Sequence, residues 1–113
     1  MQIRMPRGDI HYERFLINDP NGTGTDIDFD NVYFTVKKTT KDRLYLFQKS
    51  LKKGTIEKLS LGDYQIKIEP QDTNKLSYGK YKFDVNVKYK DLIDETWTGD
   101  FVLTDEVTFT ENE

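Results

Sequence analysis

Apolar and polar residues alternate with period two along most of this chain. Tyr81, Phe83, Val85, Val87 and Tyr89 are interleaved with Lys80, Lys82, Asp84, Asn86, Lys88 and Lys90. Successive side chains of a strand point to opposite faces, so this segment predicts a strand with one apolar and one charged face. Val32, Phe34 and Val36 repeat the pattern against Tyr33, Thr35 and Lys37. Tyr64, Ile66 and Ile68 repeat it against Gln65, Lys67 and Glu69. Phe101 with Leu103, and Val107 with Phe109, predict two shorter strands towards the end. Residues 10–17 and 44–48 alternate less cleanly, but their aromatic and branched content also predicts strands.

Turn chemistry separates these runs. Asp19-Pro20-Asn21-Gly22-Thr23-Gly24 joins a fixed proline φ to residues that tolerate positive φ. Lys53-Gly54, Leu61-Gly62-Asp63, Tyr78-Gly79 and Thr98-Gly99-Asp100 punctuate the rest. No helical apolar repeat persists over several turns. One helical turn is predicted over residues 70–76, where Asp72 or Thr73 can cap free N–H groups. The expectation is one all-β domain over residues 1–113, an antiparallel sandwich of about seven to eight strands.

A local motif refines this. In the segment from Asp72 to Tyr81, Leu76 is followed by a glycine turn at Gly79 and by Tyr81 at the start of the best strand. That order resembles the tyrosine corner of immunoglobulin-like sandwiches, in which a phenol hydrogen-bonds to backbone a few residues upstream. The plainer reading is a core aromatic with its hydroxyl at the rim. The corner reading assigns Asp72, Leu76, Gly79 and Tyr81 a structural role and predicts an immunoglobulin-like β-sandwich.

Composition narrows the chemistry. The 113 residues include no cysteine, which excludes disulfides, thiolate zinc sites, iron–sulfur clusters and a cysteine nucleophile. A net charge of −3 argues against a general nucleic-acid or anionic-membrane binder, which needs a clustered basic face. The 20 acidic residues fall mostly in turns and on polar strand faces, where solvated charge is the better reading than a catalytic pair. His11 is the single histidine and lacks any nucleophile motif around it. The acidic run from Asp19 to Asp30 does not meet the spacing of an EF-hand, so it reads as a long loop rather than a calcium site. Trp97 with Tyr89, Thr96 and Thr98 forms an alternative ligand platform for a sugar, against the ordinary expectation of a buried tryptophan. The lysine stripe of residues 80–90 is interrupted by Asp84 and Asn86 and reads as a solvated face. No catalytic, cofactor-binding or metal-ligating residue is assigned.

Several segments, in order, resemble one family. They are Phe34-Thr35-Val36-Lys37-Lys38, Leu46-Phe47-Gln48-Lys49 and Ile68-Glu69-Pro70-Gln71-Asp72-Thr73. Leu76-Ser77-Tyr78-Gly79-Lys80-Tyr81-Lys82-Phe83-Asp84, Gly99-Asp100-Phe101 and Glu106-Val107-Thr108-Phe109 follow, and Arg7-Gly8-Asp9 resembles the opening step. The chain is similar to small bacteriophage and prophage proteins of Gram-positive bacteria and to the immunoglobulin-like N-terminal module of baseplate upper proteins. The resemblance implies a non-enzymatic tail or baseplate component, and the end at Glu113 then favours a small accessory or connector subunit over receptor binding. It also implies other virion proteins or a second copy as partners, with neither nucleic acid nor membrane among them. No signal-peptide core follows the basic N-terminus, so the expected location is the bacterial cytoplasm on synthesis and the virion after assembly. Residues 10–17 and 107–110 are the expected edge contacts. The rival is a carbohydrate or cell-surface binding module using Trp97 and nearby loops.

Overall fold

The computed structural model describes residues 2–17, 28–90 and 93–105. Its elements are β1 (Gln2–Pro6), β2 (His11–Leu16), β3 (Asn31–Lys37), β4 (Phe47–Ser50), β5 (Ile56–Ser60), β6 (Asp63–Ile68), α1 (Pro70–Thr73), β7 (Gly79–Tyr89) and β8 (Ile93–Thr104). They form a five-stranded sheet in the order β1-β8-β7-β3-β4 and a three-stranded sheet in the order β2-β6-β5. The two sheets pack as a sandwich, and none of the described helices is long and apolar enough to cross a membrane.

The alternating strands behave as their pattern requires. In β7 the buried positions Tyr81, Phe83, Val85 and Val87 face inward while the intervening residues stay partly exposed. β3 pairs with β7 so that Val32, Phe34 and Val36 oppose Val87, Val85 and Phe83, which joins two apolar faces into one. Aromatic rings then fill the space between the sheets. Phe34 is fully buried, with ring centroids of Phe83, Phe15 and Phe47 at 5.3, 5.9 and 6.2 Å. Phe15 belongs to the opposite sheet, so this contact spans the sandwich. A core with large tilted rings compensates for the modest aliphatic content.

Four details differ from the sequence expectation. First, the sandwich is not wholly antiparallel, because β1 runs parallel to β8. Its two inward residues, Ile3 and Met5, are fully buried but form too short a repeat to stand out. Second, β5 has one buried residue, Ile56, and a register shift between Lys58 and Ser60, so it carries no period-two signal. Third, Thr98-Gly99-Asp100 is not a turn. Gly99 lies inside β8, opposite Phe83, in an uninterrupted antiparallel ladder with β7. Fourth, β4 begins at Phe47, and Leu44, Tyr45 and Leu46 precede it as an exposed loop. The strand expected at residues 107–109 lies outside the described residues.

The helical turn expected at 70–76 is a four-residue helix at the crossing from β6 to β7. Asp72 Oδ2 accepts the Glu69 N–H at 2.8 Å, closing the helix start. Thr73 acts elsewhere: its Oγ1 accepts the Gly8 N–H at 2.9 Å, tying the β1–β2 turn to the crossing.

Candidate interaction surface

The crossing from one sheet to the other is held from three directions. Tyr81 donates its phenol proton to the carbonyl of Ser77, four residues upstream, at 2.7 Å. Gly79 takes a φ of +140°, a conformation L side chains rarely adopt, which turns the chain into β7. Leu76 packs on the edge of the core. Asp72 makes no part of the phenol contact; instead Lys49 Nζ donates to its Oδ2 at 2.6 Å. The four residues named from the sequence therefore occupy one crossing, but Asp72 serves it through β4. From the other side, Arg7 Nη1 donates to the Leu76 carbonyl at 3.3 Å, and its guanidinium lies 4.4 Å from the Tyr78 ring centroid.

Among the described residues four strands end the sheets, and three of them carry features that discourage further pairing. β2 is an edge, as expected for residues 10–17. His11 and Glu13 sit opposite Ile68 and Ile66, on the core side of the strand, with His11 Nε2 donating to Glu13 Oε1 at 2.9 Å. Lys49 likewise points inward from edge strand β4, and β5 is bulged. Inward charges and bulges are how edges resist adventitious strand addition. The expected second edge, at residues 107–110, lies outside the described residues.

Two carboxylates on the outer faces are held by close cationic partners. Arg14 Nε and Nη2 donate to both oxygens of Asp63 at 2.8 and 2.5 Å, a bidentate contact that holds the Asp63 carboxyl below the usual carboxylate range. Lys82 donates to Asp100 at 2.5 Å, with Lys80 at 3.8 Å, and lowers that carboxyl similarly. Lys80 and Lys82 thus share one carboxylate, which offsets part of the stripe's positive charge. In contrast, Tyr64 is wholly buried, and its hydroxyl faces the Phe29 backbone without a well-formed hydrogen bond among the described residues. Burial pushes that phenol up.

The proposed aromatic platform is dispersed. Trp97 is 40% exposed, not buried, and its register partner is Val85, so it lies on the core side of the sheet. Thr96 and Thr98 project to the opposite face, where Asn86 Nδ2 donates to Thr96 Oγ1 at 2.7 Å. Tyr89 shares the Trp97 face but stands four positions further along β7, about 13 Å away by strand rise. Its ring is attended by Lys90 Nζ at 5.3 Å. Most of the acidic loop lies outside the described residues. Within them, Asp28 pairs with Lys58 and Asp30 accepts the Lys90 N–H. No group of three or more metal-ligating side chains occurs among the described residues.

What the structure does gather, and sequence reading missed, is exposed apolar surface at the crossing end. Leu44 is 84% exposed, and Tyr45, Leu46 and Tyr78 are about half exposed. Leu46 and Tyr78 border a shallow cleft of about 350 Å³ between the β3–β4 loop and the α1–β7 segment. The available signal was the run Leu44-Tyr45-Leu46, whose lack of alternation distinguishes a loop anchor from a half-buried strand. Comparison with known families finds no family model that matches the chain, and comparison with curated proteins and with solved structures finds no match either.

Proposed function

We propose that this chain is an immunoglobulin-like β-sandwich acting as a non-enzymatic protein-interaction module, a structural component of a phage or prophage tail or baseplate. The strand orders support the topology: β2-β6-β5 matches the B-E-D order, and β8-β7-β3-β4 the G-F-C-C′ order. The β6–β7 crossing, with Tyr81 bonded upstream, corresponds to the corner between strands E and F. The tail or baseplate assignment rests on the sequence resemblance, densest from Pro70 to Asp84.

The observation that carries the interaction role is the exposed group Leu44, Tyr45, Leu46 and Tyr78 at one end of the sandwich. Apolar side chains concentrated on loops beside guarded strand edges favour docking through side chains rather than by strand addition. Size-exclusion chromatography of the chain mixed with tail and baseplate proteins encoded beside it tests this. A stable complex weakened by Leu44→Ser with Tyr45→Ser supports the reading; absence of any complex overturns it.

A further inference from the structure

The cleft at the crossing end has a chemistry that specifies its occupant. Its apolar wall is Leu46, Leu76 and Tyr78, and its rim is Lys38, Lys75 and Lys80. No carboxylate lines it among the described residues. Lys80 lies 3.8 Å from Asp100, whereas Lys38 and Lys75 have no ion-pair partner among the described residues. Three ammonium groups around an apolar floor are a local exception on a chain of net charge −3.

We infer that this cleft binds an acidic peptide segment that inserts an aliphatic or aromatic anchor between Leu46 and Leu76 while its carboxylates meet Lys38 and Lys75. This assignment rests on the interaction-module reading and names the partner's chemistry. At about 350 Å³ the cleft is at the small end of ligand-sized sites and suits one anchor side chain rather than a cofactor. Unpaired charges at the rim of an apolar contact steer a partner of opposite sign and set its register. A nucleic-acid strand fits less well, because base stacking needs an open aromatic face. The Tyr78 ring already carries the Arg7 guanidinium, and Tyr81, the other aromatic lining the cleft, is a buried core residue that offers no open face.

The probe is a fluorescein-labelled Glu-Leu-Glu-Phe-Glu-Leu-Glu peptide, compared with its lysine-for-glutamate analogue and with a labelled oligothymidylate. Fluorescence polarisation should show saturable binding of the acidic peptide alone, weakened about tenfold by Lys38→Glu with Lys75→Glu. Raising salt to about 0.5 M should weaken it further. Lys52→Glu with Lys53→Glu, at the other end of the sandwich, should change nothing. Both lysine pairs are exposed, and unchanged melting curves verify that the variants fold. Equal binding of the lysine peptide, preference for the oligonucleotide, or indifference to the Lys38 and Lys75 reversal overturns the cleft assignment. The same variant carried into the tail-protein mixture separates the two readings. A complex that survives the reversal leaves the module and removes the cleft as its docking site, whereas loss of complex with the unaltered chain removes the module.

Discussion

Lys49 and Asp72 form an ion pair of 2.6 Å between edge strand β4 and the helix that crosses from one sheet to the other, with side-chain exposures of 9% and 14%. The same Asp72 oxygen closes the helix start by accepting the Glu69 N–H. One carboxylate therefore links the edge of the five-stranded sheet to the connection entering its middle. Removing either partner strands a charge that is largely out of water. Asp72→Ala or Lys49→Met should each destabilise by about 2–4 kcal/mol in urea melts. The double variant should cost clearly less than the sum, because it strands neither charge. Strict additivity would show that water screens the pair.

Tyr81 and Tyr64 are both buried tyrosines with opposite hydroxyl environments. Tyr81 donates to the Ser77 carbonyl, whereas Tyr64 has no well-formed bond among the described residues. Tyr81→Phe should cost about 1–2 kcal/mol, the range of a lost hydrogen bond whose acceptor is left at the rim. Tyr64→Phe should be neutral or slightly stabilising, since it removes a buried polar atom without breaking a well-formed hydrogen bond. Parallel denaturant titrations decide, and equal losses would remove the distinction.

The difference between those tyrosines also marks how far sequence reaches. Tyr81 announced itself because its partner is local, four residues away behind a glycine, and local chemistry is written in order along the chain. The long alternating strands were legible for the same reason. β1 was not, because its evidence is two residues, Ile3 and Met5, and its partner β8 lies about ninety-eight positions later. Gly99 misread as a turn because a glycine's meaning depends on what stands opposite, and Phe83 is supplied by another strand. The candidate cleft was illegible altogether: Lys38, Leu46, Lys75 and Tyr78 meet only after β3 and β7 pair.

Acid should weaken the fold through two carboxylates. Asp63, bound by Arg14, and Asp100, bound by Lys82, are both held below their ordinary value. In the unfolded chain they return to about 4 and take up protons first as the pH falls. Below that point the unfolded state binds more protons than the folded state, so stability present at neutral pH is lost progressively on acidification. Melting temperature should therefore be flat around neutrality and fall below about pH 4. Asp63→Asn combined with Asp100→Asn should lower the neutral plateau and flatten the acid limb. An unchanged limb would place the acid sensitivity in other carboxylates.

Gly79 tests whether the crossing depends on backbone conformation rather than space. An added Cβ there meets nothing within 4 Å, yet its φ of +140° is one that an L side chain rarely adopts. Gly79→Ala should cost about 1–2 kcal/mol with no steric clash to relieve. Because the strain falls at the entry to β7, it should also loosen the bond from Tyr81 to Ser77, two residues on either side. The losses from Gly79→Ala and Tyr81→Phe should then be less than additive, since the first already weakens what the second removes. A double variant that loses the full sum would show two independent fastenings, with Tyr81 holding the corner whatever the glycine does.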